Sequence, residues 1–366
     1  MILNEFKLHN YRNYENLNIT FSDGIHILKG KNAQGKTNLL EAILYLSTTR
    51  SHRTNDDRDL LKQDSDAFFI KGLIVKKEIK EDIQISVNEK GKNLFIYKNY
   101  ISKVSDFIGE FNAVMFCPDD MMLFNASPRV RRRFVDMELS KISKKYVSTL
   151  FVAQKLLKER NVYLKQSVVD RNYLEVLTTQ LIDMQIIIIK QRYYFLDQLV
   201  KKCQKFYQEL SMDQTKISIT YESCIPFIED DNKLKELLND KYKKSLERDI
   251  LFKQTTIGIH KEDFIFKINN KDLSIFASQG QKRSVLLALK IGMIYMIKEI
   301  IKEYPVLLLD DVFSELDENR KQKLLTSLPN EIQIFISTTD MKDLEDIKKY
   351  RKVTIWNVEN GKIEKM

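Results

Sequence analysis

Gly30-Lys31-Asn32-Ala33-Gln34-Gly35-Lys36-Thr37 fits the pattern G-x-x-x-x-G-K-[ST]. An apolar run, Ile25 to Leu28, precedes it, and a helical pattern (Leu39, Leu40, Ile43, Leu44) follows. Strand, glycine loop and helix start are the context in which this pattern binds phosphate. Glycines let successive backbone N–H groups converge on phosphate oxygens, and the helix N-terminus adds positive potential. Lys36 is placed to neutralise the β/γ-phosphates of a nucleoside triphosphate, and Thr37 to offer its hydroxyl to Mg²⁺.

Working outward, a chain of 366 residues is long for one core, which predicts two lobes. Hydrophobic content of 43% with 30% charged residues is that of a globular chain. No apolar run approaches the ~18–20 residues that span a bilayer. The first residues lack the pattern of a signal peptide, so the expectation is a cytoplasmic protein with no membrane partner. Cys117, Cys203 and Cys224 are too few and too scattered for a disulfide framework or a zinc site. A formal net charge of +9 permits a polyanion partner without demonstrating one.

Leu3, Phe6 and Leu8, then Leu17, Ile19 and Phe21, alternate with polar residues and predict two strands joined by a turn at Asn10–Asn13. Thr48 to Asp59 reads as a polar loop carrying Arg50, Arg53 and Arg58. Strands are expected at Ala67–Lys76, Asp82–Asn88 and Asn93–Lys98. Ser127-Pro128 is a helix start. From there to about Arg248 the pattern is mainly helical, and Val168 to Leu210 contains neither glycine nor proline. Strand patterns return after Phe264, with Pro305 to Leu309, Ile332 to Ser337 and Lys352 to Val358. The chain therefore begins and ends in α/β character around a helical insertion.

Leu307-Leu308-Leu309-Asp310-Asp311 is a buried-strand pattern ending in two carboxylates, the Walker B arrangement. Asp310 would orient Mg²⁺, and Asp311, one residue on, would orient or deprotonate the attacking water. Ser278-Gln279-Gly280-Gln281 opens a helical stretch and reads either as a second anion-binding helix start or as a plain N-cap.

Together these motifs resemble the ATP-binding-cassette (ABC) ATPases. Ser278-Gln279-Gly280-Gln281 resembles the signature motif of that superfamily, and Ser314-Glu315-Leu316-Asp317 resembles its D-loop. Within it the chain is similar along essentially its whole length to the RecF family, whose heads resemble those of SMC proteins. Asn10-Tyr11-Arg12-Asn13-Tyr14, Gly35 to Ala42, Arg131-Arg132-Arg133-Phe134 and Leu309 to Asp317 carry that likeness. The resemblance implies an α/β, ABC-type P-loop ATPase head with a mixed sheet, an inserted, mainly helical second lobe and no long coiled coil. Residues 1–125 and 290–366 would form the ATPase lobe, and 126–289 the second lobe with the signature motif at its end.

It also implies an ATP-dependent clamp on double-stranded DNA or single-strand/double-strand junctions, acting in repair and recombination of gaps. RecO and RecR would be its mediators, with RecA loaded downstream. The catalytic residues implied are Lys36 and Asp311, and the metal ligands Thr37 and Asp310. Residues 30–37 and Arg12 would contact ATP, although a surface role for Arg12 stays open. Ser278 of one subunit would meet the γ-phosphate held by the other in an ATP-dependent homodimer. Thr339 stands where such ATPases usually carry a switch histidine. In the family stretch Gly-Pro-His-Arg-Asp-Asp, this chain has Gly258-Ile259-His260-Lys261-Glu262-Asp263, which leaves its role open. DNA contacts are assigned to Arg50, Arg53 and Arg58. The cluster Arg129, Arg131, Arg132 and Arg133 reads equally as DNA contact or interlobe ion pairing. The cassette motifs alone also permit an ATPase subunit coupled to another partner such as a transporter.

Overall fold

The computed structural model describes residues 1–211, 214–312, 316–339 and 352–366. The chain opens with the hairpin β1 (Ile2–Tyr11) and β2 (Tyr14–Thr20), followed by β3 (Ile25–Lys29) and α1 (Lys36–Thr48). An antiparallel meander follows: β4 (Ala67–Lys76), β5 (Ile79–Asn88), β6 (Gly91–Ile96) and β7 (Asn99–Ile101). Then come α2 (Val104–Phe107), β8 (Ala113–Phe116) and the helices α3 (Met122–Asn125), α4 (Pro128–Ser140), α5 (Lys144–Tyr163) and α6 (Arg171–Ser211). After β9 (Ile217–Glu222) the order is α7 (Asp231–Phe252), β10 (Asp263–Ile268), β11 (Lys271–Asp272), α8 (Leu273–Phe276) and α9 (Gln279–Ile301). The chain ends with β12 (Val306–Asp310), α10 (Glu318–Ser327), β13 (Ile334–Thr338), β14 (Val353–Glu359) and β15 (Lys362–Lys365).

Two compact units result. The first comprises Met1–Asp120 and Leu286–Met366 with the end of α6, and the second comprises Met121–Gln208 and the chain onward to Val285. The first unit holds two six-stranded sheets. One is antiparallel, in the order β2-β1-β4-β5-β6-β7. The other runs β15-β14-β3-β13-β12-β8 and is parallel except for β15. Its strands β3, β12 and β13 are mainly apolar, as burial on both faces favours, with the polar residues Lys29, Asp310, Ser337 and Thr338 gathered at their ends. All five residues of both β12 and β13 are buried.

Register decides where the chemistry falls. Leu307 lies opposite Ile334, which lies opposite Ile25, so Asp310 pairs with Ser337 and Thr338 with Lys29. Because the strands are parallel, the ends of β3, β12 and β13 reach one edge of the sheet, where ligands bind in open α/β sheets.

The helical unit is built around α6, 41 residues and so about 60 Å long. Its buried positions Leu174, Leu177, Leu181, Ile188, Leu199 and Cys203 follow the helical repeat. Buried among them, Arg192 donates to Asp136 at 2.8 Å and to Glu262 at 2.9 Å. Glu262 also accepts from Ser223 at 2.8 Å and from Tyr221. The stretch at residues 258–263 thus contains a packing hub.

Arg131 makes a forked pair with Asp263, at 2.7 and 2.6 Å, and Arg132 donates to the Glu262 carbonyl. Asp263 belongs to the same unit as Arg131, so this ion pair lies inside one lobe and is not the interlobe pair considered from sequence. All three cysteines are free thiols. Among the described residues no helix is long and apolar enough to cross a membrane.

Several boundaries differ from the sequence reading. β5 starts at Ile79, not at Asp82, because Lys77 (φ 45°) and Glu78 (φ 70°) form a two-residue turn with neither residue of the usual Asn-Gly type. β7 and β8 are additional strands of three and four residues, shorter than an alternation pattern can reveal.

His26 on β3 is fully buried between Phe21 and Phe335. Trp356 Nε1 donates to its Nδ1 at 3.1 Å, which leaves Nε2–H to donate to the Ser22 carbonyl at 2.8 Å. Burial pushes the imidazole down to about 4 from its ordinary 6.5. The folded-state value lies below the unfolded one, so this contribution is complete above pH 6.5 and is lost as pH falls toward 4. It amounts to about 3 kcal/mol. Urea unfolding of His26→Asn should show a pH slope flatter by that amount over the same interval, and an unchanged slope would refute the assignment.

Candidate functional site

The loop 30–37 joins β3 to α1 at the edge where β12 and β13 also end. Gly30 and Gly35 are demanded by geometry. A Cβ on Gly30 would lie 2.3 Å from the Val358 carbonyl oxygen. Gly35 adopts φ 114°, and a Cβ there would lie 2.6 Å from Asn13 Nδ2. Lys31, Asn32 and Ala33 are exposed, while Gly35 and Lys36 are buried.

Residues outside the motif hold the loop. Tyr14 OH donates to the Gly35 carbonyl at 3.0 Å, and Asn13 Nδ2 to the Gln34 carbonyl at 3.1 Å. From the β14–β15 turn, the Gly361 N–H reaches the Gln34 carbonyl at 3.1 Å. The Asn360 N–H reaches Gln34 Oε1 at 2.8 Å. Asn13 and Tyr14 therefore buttress the phosphate loop, a role that their sequence spacing did not disclose.

Lys36 Nζ donates to the Gly30 and Lys31 carbonyls at 2.6 and 2.8 Å, so its ammonium lies within the loop. Burial lowers its pKa, against the pull of Asp311 and Asp310. Thr37 Oγ1 donates to Asp310 Oδ1 at 3.0 Å, and Ser337 Oγ donates to the same oxygen at 2.7 Å. Burial raises the Asp310 carboxyl above its ordinary value even with both hydroxyls bound. Asp311 follows with φ 53°, its N–H donating to Ser337 Oγ at 2.9 Å. Thr339, just after β13, is exposed. The sheet thus brings together the loop, Lys36, Thr37, Asp310, Asp311 and the end of β13.

The donor set suits Mg²⁺: a hydroxyl and a carboxylate oxygen, both hard, to which phosphate oxygens of a bound nucleotide would add. Among the described residues there is no cluster of three or more His, Cys, Asp or Glu that would suggest an all-protein cage. Asp120, in the acidic stretch after Cys117, caps the Cys117 N–H at 2.9 Å and accepts from Lys290 at 3.0 Å.

One turn further along α1 from Thr37, Glu41 is fully buried. Arg12 forks onto it through Nε (3.0 Å) and Nη2 (3.1 Å), and donates through Nη1 to the Asp59 carbonyl at 2.8 Å. Burial alone would raise the Glu41 pKa, but the bonds from Arg12 and Ser51 hold it below its ordinary value. Arg53 donates to Asn38 Oδ1 at 3.1 Å and lies 3.7 Å from Glu41. Arg58 pairs with Asp56 at 2.6 Å, and Arg50 is exposed. Two of the three arginines assigned to DNA thus already have partners within the chain.

Ser278-Gln279-Gly280-Gln281 lies in the second unit. Gln281 N–H donates to Ser278 Oγ at 3.2 Å, and Ser278 N–H to Gln281 Oε1 at 3.0 Å, a capping box. Leu316 is buried, and Asp317 caps α10 by accepting from the Arg320 N–H at 2.9 Å. Ser314 and Glu315 of the D-loop assignment lie outside the described residues.

The sequence matches the RecF/RecN/SMC N-terminal domain family over residues 2–363. It is 39% identical to the DNA replication and repair protein RecF of Pediococcus pentosaceus over 99% of this chain and 98% of that protein. The protein of the same name from Bacillus cytotoxicus is 38% identical over 100% and 98%. Among solved structures, the recombination mediator protein RecF-ATP of the RecFOR pathway superposes with a TM-score of 0.91 at 33% identity, covering 100% of this chain and 99% of that one. An SMC head bound to the C-winged helix domain of ScpA shares the fold at a TM-score of 0.54 and 14% identity, covering 100% and 98%. With a phosphate loop, a carboxylate strand and this likeness along its whole length, the chain belongs to the RecF family of ABC-type ATPases.

Proposed function

We propose that the chain is an ATP-dependent DNA clamp acting as a recombination mediator in the repair of gaps. The observation that carries this reading is the 3.0 Å bond from Thr37 to Asp310 beside the lysine of the phosphate loop. It joins the two halves of a nucleotide–metal site from opposite ends of the chain. The relatives named for DNA replication and repair, and the RecF-ATP structure of the RecFOR pathway, support the assignment of ATP and of the pathway.

In this reading residues 30–37 cradle the phosphates and Lys36 exchanges its carbonyl partners for β/γ-oxygens. Thr37 and Asp310 would hold Mg²⁺, which when bound neutralises charge on the phosphates. Asp311 orients or deprotonates the attacking water, and Thr339 offers a hydroxyl near the γ-phosphate. Residues 1–125 with 290–366 act as the ATPase lobe, and 126–289 present the signature loop.

The capping box leaves a usable donor on that loop. Ser278 Oγ accepts from Gln281, so its own O–H can donate to a γ-phosphate held by a second subunit. Two ATP molecules would then join two subunits in a two-fold, ATP-dependent dimer, with the D-loop residues 314–317 alongside. Hydrolysis removes the bridging phosphate and releases DNA. RecO and RecR would be the partners in a cytoplasmic, slowly hydrolysing switch. Binding to double-stranded DNA or junctions would engage Arg50 first, since Arg53 and Arg58 have internal partners.

Ser278→Arg should bind a fluorescent ATP analogue within about threefold of wild type yet stay monomeric in ATP. Sedimentation velocity that shows an ATP-induced dimer of this variant would sink the dimer proposal. Asp311→Asn should retain ATP binding and dimerisation while turnover falls about 10²-fold or more, and undiminished turnover in a phosphate-release assay excludes the assigned role. For DNA, log K against log salt should fall steeply, and Arg50→Ala should reduce the slope by about one. A duplex affinity indifferent to salt contradicts the electrostatic reading.

A further inference from the structure

A single run of side-chain hydrogen bonds leads from the arginine segment into the phosphate loop. Arg53 Nη1 donates to Asn38 Oδ1 at 3.1 Å. Asn38 Nδ2 donates to Asn13 Oδ1 at 2.8 Å. Asn13 Nδ2 donates to the Gln34 carbonyl at 3.1 Å. We propose that Asn38 and Asn13 are positioning residues through which Arg53 sets the geometry of the phosphate loop. The proposal rests on the reading of that loop as a nucleotide site.

The polarity of the run is forced. A guanidinium can only donate, so its contact turns the Asn38 oxygen toward Arg53 and the amide nitrogen toward Asn13. Asn13 must then present its oxygen to Asn38 and its nitrogen to the loop. Each amide spends one donor and one acceptor, and the terminal carbonyl is a backbone oxygen inside the motif. Bonds arranged donor to acceptor in this way polarise one another.

Both ends are anchored. At one end the Arg53 N–H donates to Ser51 Oγ at 3.0 Å, and Ser51 Oγ donates to the buried Glu41. Arg53 itself lies 3.7 Å from Glu41, the carboxylate that also holds Arg12. At the other end the space that a Gly35 side chain would fill is taken by Asn13, 2.6 Å from the ideal Cβ position. Asn38 follows Thr37 directly in the first turn of α1, so a shift of its side chain is felt next to the phosphate-facing residues. Gln34 is also gripped by the Asn360 and Gly361 amides, which makes its carbonyl a fixed terminus.

A double-mutant cycle tests this. Affinity for a fluorescent ATP analogue with Mg²⁺ is measured for wild type, Arg53→Ala, Asn38→Ala and the double variant, with thermal unfolding in parallel. Lys36→Ala is the control for the nucleotide reading. Each single substitution is expected to weaken binding roughly 5- to 10-fold, the scale of one charge-assisted or network hydrogen bond. The double variant should be no weaker than the weaker single, because both cut the same run.

Asn38→Asp keeps an acceptor for Arg53 but sets an oxygen against Asn13 Oδ1, so it should match Asn38→Ala. If Asn38→Ala fails to fold, Asn13→Ala takes its place in the cycle. Multiplicative losses in the double variant overturn the proposal, since Arg53 would then act on the nucleotide independently of Asn38. Wild-type affinity in Asn38→Asp, or in a folded Asn38→Ala, overturns it as well. If wild type and Lys36→Ala are equally unable to bind the analogue, the nucleotide reading fails and takes the relay with it. Multiplicative losses in a binding-competent protein sink the relay alone.

Discussion

The parallel register of β3, β13 and β12 is the constraint on which the site depends. Asp310 stands opposite Ser337, and Thr338 stands opposite Lys29, so three strand ends reach one edge together. A slip of one residue would turn Asp310 to the other face and break its bonds to Thr37 and Ser337 at once. The slip is opposed by the strands themselves, since β12 and β13 are buried along their whole length. Packing of Leu307, Leu308, Leu309 and Ile336 therefore does chemical positioning, although none of these side chains carries chemistry.

The electrostatics at that edge follow from the same burial. Lys36 is pushed down and Asp310 up, each in the direction that favours the uncharged form. Such displacements mark groups whose charge is incompletely compensated by the protein, and a triphosphate with a divalent cation would supply both missing charges. Glu41 shows the opposite case. It is as deeply buried, yet Arg12 and Ser51 keep it ionised, so it serves as a fixed anchor for surrounding groups.

The motifs legible in the sequence were those whose chemistry needs contiguous residues. Gly30 to Thr37 must be one loop at one helix start, and Leu307 to Asp311 one strand and its end. The ABC-type fold was an expectation that rested on a resemblance, carried by these motifs together with Ser278 to Gln281 and Ser314 to Asp317. What stayed hidden was set by contacts between distant segments. Asn13, Tyr14 and Asn360 look like ordinary turn and strand residues until the sheet brings them against Gln34 and Gly35. The arginines of residues 50–58 read as a free basic loop because Asp56, Asn38 and Glu41 are polar residues with no spacing signature. The turn at Lys77-Glu78 carries no glycine or asparagine, so the start of β5 was misplaced by three residues.

Two loops of this chain solve one problem in contrasting ways. The signature serine caps its own helix by accepting from Gln281, and an oxygen that accepts still has its proton to give. Its local role and its proposed role toward a second subunit's phosphate are compatible because they use opposite hydrogen-bonding capacities of one hydroxyl. Arg53 has no such duality. A guanidinium only donates, so any donor committed to Asn38 is withheld from a phosphate unless another N–H of the fork serves it. Arg53 is consequently better suited to the proposed hold on the phosphate loop than to DNA, while Arg50 and Arg58 remain on the surface. Counting basic residues in a loop cannot separate these roles; the direction of each hydrogen bond does.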